Sequence, residues 1–345
     1  MSFLNSRTMK PTDFSKYISD FLSRYLAGER GASINTINAY RDTFVLLLTF
    51  IEGQRLIKLE KLTLNDINKE TIMAFLDWIQ SERNCGNATR NLRLAAIHSF
   101  YKYLQYQSLD NLYESQRILS IRPKKLAKEA IGYLSVNGIK MLLQQIDTTT
   151  KKGRRDLALL SLMYDTGARV QEVIDLTPSM LYLHKPATIK IIGKGNKARL
   201  VPMLDAQTMH LRNYLKEYQM DNPVAKLHPL FTNSRKEKLT RSGINYILQK
   251  YMKMARDVDQ TVIPEKVSCH SLRHSKAMHL LQAGVNLVYI RDILGHVSVQ
   301  TTEIYARADS KHKRLALEKA YVDVNPDEEP TWVNNENLIS WLKKF

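Results

Sequence analysis

Apolar residues recur every three or four positions along the first hundred residues, a spacing that places them on one face of an α-helix. The pattern appears first between Phe14 and Tyr25. A second run extends from Ile37 to Ile51, where a glycine follows, and others cover Ile72 to Ile79 and Ala88 to Leu104. Four amphipathic helices can close around one core. The sequence therefore predicts a helical domain over residues 12–108.

The helical pattern fades over residues 109–132, where Pro123 stands among basic residues such as Lys124 and Lys125. We interpret this range as a basic linker between two domains. Two roles are compatible with it. It is either a solvated loop or a segment that follows the phosphate backbone of a nucleic acid.

A second domain is predicted over residues 133–322, beginning with Ser135 as a helix N-cap. Most of its segments have helical periodicity. Two extended runs, Thr188 to Ile192 and Arg199 to Val201, flank a glycine-rich turn and predict a β-hairpin. The predicted fold class is therefore mainly α with a small β-sheet, with an N-terminal helical bundle and a C-terminal mixed α/β domain.

Residues 323–345 form a tail of different character, in which Pro326 and Pro330 interrupt helical structure. A short terminal helix is predicted after them, with one apolar stripe at positions i, i+3, i+4 and i+7. Such a stripe needs a partner surface, which lies either on the same chain or on another copy. Its members are Leu338, Trp341, Leu342 and Phe345.

The charge balance adds a partner class to this outline. The chain has 345 residues, with 51 Lys and Arg against 34 Asp and Glu, a net charge of +17. Such a surface attracts polyanions, although charge alone also fits a basic protein without a nucleic-acid partner.

The two cysteines, Cys85 and Cys269, are too few for a disulfide framework. With no apolar run of membrane-spanning length, we expect a cytoplasmic protein.

Cationic and imidazole side chains cluster near predicted turns in the second domain. Arg169 follows a glycine, and Lys194 lies between two glycines. No acidic pair with metal-binding spacing accompanies them, which disfavours phosphoryl transfer by two metal ions.

Five strings in this domain resemble, in order and spacing, the active site of tyrosine recombinases, the family of Xer proteins and of phage and integron integrases. The resemblance covers nearly the whole chain, because the helices at 32–51 and 88–104 look like the first and last of the family's DNA-binding domain. It departs from the common pattern at Ala168, Gln171 and Arg307, none of them a catalytic position. The strings are TGARVQE at 166–172, GKGNKARLVP at 193–202, HSLRH at 270–274, LGH at 294–296 and TTEIYAR at 301–307.

The resemblance implies a set of groups around one DNA phosphate. Arg169 and Arg273 would clamp its oxygens with planar guanidinium groups, and His296 would hydrogen-bond it. Fixed cations suit this chemistry, because negative charge grows on the phosphate oxygens during cleavage.

The resemblance also implies which residue attacks the DNA phosphate and which residues transfer protons. Tyr305 would be the nucleophile, joined to the DNA 3′ phosphate, and His270 would assist removal of its proton. Lys194 would protonate the departing 5′ oxygen. Glu172 would orient its neighbours. Neither ATP nor a metal or other cofactor is implied.

The implied partner is a double-stranded DNA recombination site. Two protomers would bind each site and four would form the synapse, with the C-terminal helix docking in trans on a neighbour. A solvated basic helix face remains the alternative for the DNA contacts in the first domain. The predicted DNA-binding residues are Thr89, Arg90, Arg93, Lys102, Lys124, Lys125, Lys197 and Arg199.

Other interpretations compete with this one. Tyr305 fits a core aromatic, and His270 with His274, near Cys269 and His279, suggests zinc ligands. A nucleotide-binding loop at Gly193 lacks the Walker spacing.

Two other functions compete with site-specific recombination. They are a DNA-relaxing enzyme like a type IB topoisomerase and a catalytically idle DNA-binding protein. Integration, excision or transposition of a mobile element is preferred over resolution of chromosome dimers.

Overall fold

The computed structural model describes residues 11–126, 132–308, 340 and 342–343. The chain divides into two compact units, Met1–Lys128 and Glu129–Phe345. Of the predicted tail, only Ser340, Leu342 and Lys343 are described. The apolar stripe and its docking therefore lie outside the described residues.

The first unit is helical, and polar side chains fix where its helices begin. The side chains of Thr12, Ser33 and Asn68 each accept a hydrogen bond from the backbone N–H three residues later. Such bonds satisfy donors that the first turn of a helix leaves free. The helices are α1 (Asp13–Asp20, continued by a π-helical stretch Phe21–Glu29), α2 (Ile34–Arg55), α3 (Lys69–Ser81), α4 (Asn87–Gln107) and α5 (Leu112–Leu119).

Aromatic rings fill the core of this unit. Phe21 is fully buried, and its ring centroid lies 5.4 Å from that of Phe100, 5.5 Å from Tyr103 and 6.3 Å from Phe44. These rings come from the π-helical stretch, α2 and α4. The aromatic cluster therefore joins the elements that the apolar spacing predicted as helices.

Helix α5 lies inside the range expected to be linker, so the predicted linker begins too early. Its Ile118 is fully buried in the core of the first unit, and Arg117 pairs with Glu114 and Glu70. Sequence periodicity missed α5 because the helix has only 8 residues and follows a turn. Residues 121–126 have no regular structure.

The second unit combines helices with a three-stranded antiparallel sheet, which confirms the predicted fold class. In the central strand, Ile189 and Ile191 are buried while Lys190 is exposed, and Ile189 pairs with Val201. The elements are α6 (Val136–Gln144), α7 (Lys151–Thr166), α8 (Val170–Ile174), β1 (Leu181–Tyr182), β2 (Thr188–Ile192), β3 (Ala198–Pro202), α9 (Asp205–Glu217), α10 (Arg241–Val258), α11 (Cys269–Gln282), α12 (Leu287–Leu294) and α13 (Gln300–Ala308).

Helix α7 is central to this unit. Its Leu159, Leu160 and Leu162 are fully buried, and the helix packs against α9 on one side and α11 on another.

Across the described residues, none of the helices combines the length and apolar character needed to cross a membrane.

Truncation of Phe21 tests the aromatic core. Phe21→Ala should lower the free energy of unfolding of the first unit by about 4 kcal/mol, because it removes a buried ring and leaves a cavity. Urea unfolding followed by tryptophan fluorescence measures this, since Trp78 packs 5.6 Å from Phe50 in the same core. Tyr106→Ala, at an exposed position, is the control and should change stability by less than about 0.5 kcal/mol. Equal effects of the two variants would contradict the account.

Candidate active site

Two helix C-termini meet at the candidate site, and each ends in a glycine. Gly167 follows α7 with φ 57°, and Gly295 follows α12 with φ 65°, a region that side chains disfavour. A Cβ on Gly167 would lie 2.6 Å from Leu294 Cδ2, and one on Gly295 would lie 2.7 Å from Arg199 Nη1. Both glycines are therefore required by backbone conformation and by close packing.

Arg273 bridges these two C-termini from α11. Its Nη1 donates to Gly167 O at 2.7 Å and its Nη2 donates to Leu294 O at 2.8 Å. Carbonyls at a helix C-terminus carry partial negative charge and favour a cation. Burial, with the charge of Arg169, lowers the pKa of Arg273 to about 10, so the group stays charged at neutral pH.

Glu172 is the buried acidic partner of the cations. Its carboxylate accepts from Arg169 N at 2.9 Å and from Arg169 Nη1 at 2.8 Å. It also accepts from Arg199 Nη2 at 2.7 Å and Nη1 at 3.2 Å. Burial pushes the pKa of Glu172 upward, but the hydrogen bonds and charges of Arg199 and Arg169 outweigh it, so the net shift is downward. Glu172 is therefore an ionised carboxylate at neutral pH.

Arg199, one of the predicted DNA-binding residues, has partners inside the protein. We expected it to contact DNA, but its side chain is only 11% exposed, and its Nε donates to Ile293 O at 2.8 Å. Arg90 is likewise buried, on α4. Charge along a sequence does not distinguish a solvent-facing arginine from one that has an interior acceptor. Contact of Arg199 or Arg90 with DNA stays a prediction.

Tyr305, on α13, lies between two imidazole rings. Tyr305 is only 1% exposed. Its ring centroid lies 5.7 Å from that of His274 and 6.4 Å from that of His296. The hydroxyl Oη is 2.9 Å from His274 Nδ1. Burial raises the pKa of Tyr305, and Arg273 and Arg169 offset part of that rise.

The two predicted site histidines differ in their surroundings. His296 Nδ1 is 2.9 Å from the Thr302 hydroxyl, and burial together with Arg273 and Arg169 lowers the pKa of His296 to about 4. His270 is exposed, on the first turn of α11. Desolvation and the same arginines, with Arg241, lower the pKa of His270. Both imidazoles are therefore neutral at pH 7.

His274 was not among the predicted catalytic residues, because the sequence suggested only a packed or hydrogen-bonded neighbour of them. Its position was visible in the spacing of HSLRH, because residues four apart share one helix face. The ring centroids of His270 and His274 are 6.4 Å apart. The structure therefore brings both histidines of this string to the site, and puts His274 next to the tyrosine hydroxyl.

Lys194 lies on the turn Lys194–Asn196 between β2 and β3, and its side chain is outside the part of the structure described. The hairpin itself reaches the site, because Arg199 on β3 binds Glu172 and the backbone of Ile293. The position of the Lys194 amine stays a prediction.

The remaining DNA-binding candidates lie at or near the surface. Arg93 is half-buried, and its Nη1 donates to Ala39 O at 3.2 Å and to the Thr43 hydroxyl at 3.0 Å. Asn87 and Asn91 of α4 donate to the backbone carbonyls of Lys125 and Lys124, which fixes the basic segment beside that helix. The exposed candidates are Thr89, Lys102, Lys124, Lys125 and Lys197.

The zinc interpretation lacks a ligand set. Within residues 11–126 and 132–308, no three or more His, Cys, Asp or Glu side chains come together in a group that could hold a metal ion. Burial raises the pKa of the Cys269 thiol to about 11, which disfavours the thiolate that zinc needs.

Comparisons with known proteins assign the class. Residues 133–312 match the phage integrase family, and residues 18–108 match its N-terminal SAM-like domain. The chain therefore belongs to the phage integrase family and is a tyrosine recombinase.

Individual relatives agree with this class. A putative integrase/recombinase of Sinorhizobium fredii is 36% identical over 310 residues, which cover 90% of this chain and 92% of that protein. Tyrosine recombinase XerD of Listeria monocytogenes is 31% identical over 313 residues, with 90% and 98% covered.

Solved structures resemble the chain as well. The XerH site-specific recombinase bound to its difH substrate has a TM-score of 0.63 at 25% identity, with 88% of this chain and 85% of that chain covered. The Tn1549 transposon integrase in complex with transposon right end DNA has a TM-score of 0.66 at 16% identity, with 88% and 97% covered. The latter likeness shows the fold alone.

Neutralising Glu172 tests the acidic partner. Glu172→Gln should lower the free energy of unfolding at pH 7 by about 3 kcal/mol, because it leaves two guanidinium groups without their buried counter-charge. Since the folded-state pKa is below its ordinary value of 4.5, this stabilisation is present above 4.5 and is lost as pH falls through the folded-state pKa. The difference between the two proteins should therefore shrink in acid.

Urea unfolding of the full chain at pH 7 and at pH 4, followed by circular dichroism, measures both effects. The control is Asp205→Asn, which breaks a solvent-exposed pair with Lys185 and should cost less than about 1 kcal/mol. A loss at Glu172 no larger than that of the control, or one that grows in acid, would be inconsistent with the pairing.

Proposed function

We propose that this enzyme is a site-specific recombinase that cuts and rejoins double-stranded DNA through Tyr305. The observation that carries the proposal is the convergence of four side chains from separate segments of the second unit. The ring of Tyr305 lies 6.4 Å from that of His296. Arg169 and Arg273 donate to the carbonyls of the two residues directly before His296. A phosphate placed among them meets a nucleophile and fixed positive charge together.

The two arginines have different tasks in this proposal. The Arg169 side chain is 34% exposed, so a phosphate from solvent reaches it directly, and its planar fork suits two phosphate oxygens. Arg273 is buried. It holds the backbone of Gly167 and Leu294 in place and adds positive charge. His296, with a neutral ring, hydrogen-bonds a nonbridging oxygen.

Cleavage proceeds by exchange of one phosphodiester for another. Tyr305 Oη attacks phosphorus, a bond to the DNA 3′ phosphate forms, and the bond to the 5′ oxygen breaks. Lys194 gives that oxygen a proton. The 5′ hydroxyl of a partner strand reverses the step. No ATP is consumed because the phosphotyrosine retains the energy of the broken bond.

The DNA partner is inferred from charge and from the relatives. Exposed Lys102, Lys124, Lys125 and Lys197 provide positive charge for a phosphate backbone, and the XerH relative is bound to its difH substrate. Since two duplexes each exchange two strands, two protomers on each site and four in the synapse complete the reaction. We extend the role to integration or excision of a mobile element, because the relative that is 36% identical is a putative integrase/recombinase.

Removal of the tyrosine oxygen tests the nucleophile. Tyr305→Phe should bind target DNA as the wild type does and form no covalent adduct, because the ring packs alike while the attacking atom is gone. A denaturing gel of a nicked suicide substrate measures this. Tyr289→Phe, on the exposed face of α12, is the matched control and should form the adduct at the wild-type yield. Adduct at undiminished yield in Tyr305→Phe would refute the assignment.

A sulfur leaving group tests the general acid. Lys194→Ala should cleave native DNA about 100-fold more slowly and recover most of that loss when sulfur replaces the bridging 5′ oxygen, because a thiolate departs without a proton. Single-turnover cleavage rates measure the recovery. Lys190→Ala on β2, whose side chain is exposed, is the control and should be unaffected. If sulfur restores nothing, the proton comes from another group.

Truncation tests the tail. Removal of residues after Val324 should leave DNA binding by single protomers intact and weaken paired complexes and strand exchange, because an apolar stripe that docks on a neighbour would be lost. Gel shifts and light scattering on full-length and truncated protein measure this. Tetrameric complexes of unchanged stability would show that the tail docks on its own chain.

A further inference from the structure

We propose that His274 is a catalytic residue of this enzyme, the base that accepts the proton of the Tyr305 hydroxyl as that oxygen attacks DNA. This rests on the proposed function, and it reassigns a role that the resemblance gave to His270.

The contact between the two residues is direct. His274 Nδ1 lies 2.9 Å from Tyr305 Oη, within the reach a general base requires. Helix α11 also packs against α13, and Arg273, the residue before His274, is held by the carbonyls of Gly167 and Leu294. The imidazole is therefore presented from a backbone that is fixed on two sides.

The other imidazoles are placed less well for this task. His296 Nδ1 already faces the Thr302 hydroxyl at 2.9 Å, and its ring is nearly parallel to that of Tyr305, with 6.4 Å between centroids. His270 and Tyr305 share no hydrogen bond across residues 132–308, the part of this unit that is described. His274 is thus the imidazole with a ring nitrogen at the hydroxyl.

The protonation states agree with the geometry. The charged or titratable groups that face His274 are His270 and Arg273 on α11, Tyr305 on α13 and His296 after α12. Burial, with His270 and Arg273, lowers the pKa of His274, so a neutral ring is available to accept a proton. Burial raises the pKa of Tyr305, so the phenol does not ionise unaided.

The step balances in atoms and charge. The Tyr305 O–H bond breaks and its proton moves to His274 Nδ1, while the Oη–phosphorus bond forms. The phosphorus–5′ oxygen bond breaks, and that oxygen takes a proton from Lys194. In rejoining, the 5′ hydroxyl of the partner strand gives its proton to Lys194 and forms the new bond to phosphorus. The phosphorus–Oη bond breaks, and His274 returns its proton to Oη.

A more acidic phenol at position 305 distinguishes a general base at His274 from a residue with a purely structural role. Single-turnover cleavage of a suicide substrate is measured with full-length wild type and with His274→Ala, each with tyrosine or 3,5-difluorotyrosine at position 305. His274→Ala should be slower by about 100-fold with unchanged DNA binding. The fluorinated phenol ionises without a base, so it should reduce that deficit to less than about 10-fold.

Two further variants keep the test interpretable. His274→Asn retains a small polar side chain but is no base, so it should remain slow with tyrosine and be rescued by the fluorinated phenol. His279→Asn is the matched control. His279 lies on the same helix as His274, and its Nδ1 is 2.9 Å from a different tyrosine hydroxyl, that of Tyr164 on α7. It should cleave at the wild-type rate.

The outcomes are distinct. Wild-type rates in His274→Ala, or a deficit that the fluorinated phenol leaves unchanged, would overturn the assignment. His270→Ala is measured in the same way. If the fluorinated phenol rescues that variant and leaves the deficit of His274→Ala unchanged, the role belongs to His270. If wild-type protein forms no adduct on any substrate, the proposed recombinase function fails, and this inference fails with it.

Discussion

The site depends on one buried carboxylate that lies among several cations. Glu172 binds guanidinium groups from two places in the chain, Arg169 at the start of α8 and Arg199 on β3. Arg199 continues to the backbone of Ile293 on α12. Like charges this close repel strongly in a partly buried environment. Glu172 offsets that repulsion, and in doing so it fixes the hairpin, α8 and α12 relative to one another.

Arg273 complements this arrangement through backbone partners. Its guanidinium is held by backbone carbonyls at the ends of α7 and α12, where helix dipoles favour positive charge. The glycines at those ends allow the chain to turn and the helices to approach. Gly167 and Gly295, which are far apart in the sequence, therefore both help to hold the cations in place.

The site divides fixed charge from mobile protons. Arginines keep their charge at working pH and stabilise the phosphate, whereas burial and those same arginines lower the pKa of each imidazole, His270, His274 and His296. The rings are therefore neutral and able to exchange protons. Burial raises the pKa of Tyr305. In our proposal this nucleophile therefore needs one of these rings, that of His274, to accept its proton.

Much of this could be predicted from sequence, because order and spacing of short strings specify turns, caps and the residues beside them. The helical spacing predicted the bundle, and two extended runs on either side of a glycine-rich turn predicted the hairpin. Partner choice was harder. Nothing local in the sequence shows that Arg199 has an interior acceptor, since Glu172 lies 27 residues away. Helix α5 was missed because 8 residues carry little periodicity.

The most direct test of the account is the chemical identity of the protein–DNA link. After reaction with a suicide substrate, trypsin should cut after Arg291 and Arg307 and release a peptide in which Tyr305 is the one tyrosine. Fragmentation mass spectrometry locates the nucleotide on it. We predict a 3′-phosphoryl nucleotide on the oxygen of Tyr305. A nucleotide attached to any other residue, in this peptide or elsewhere, would contradict the account.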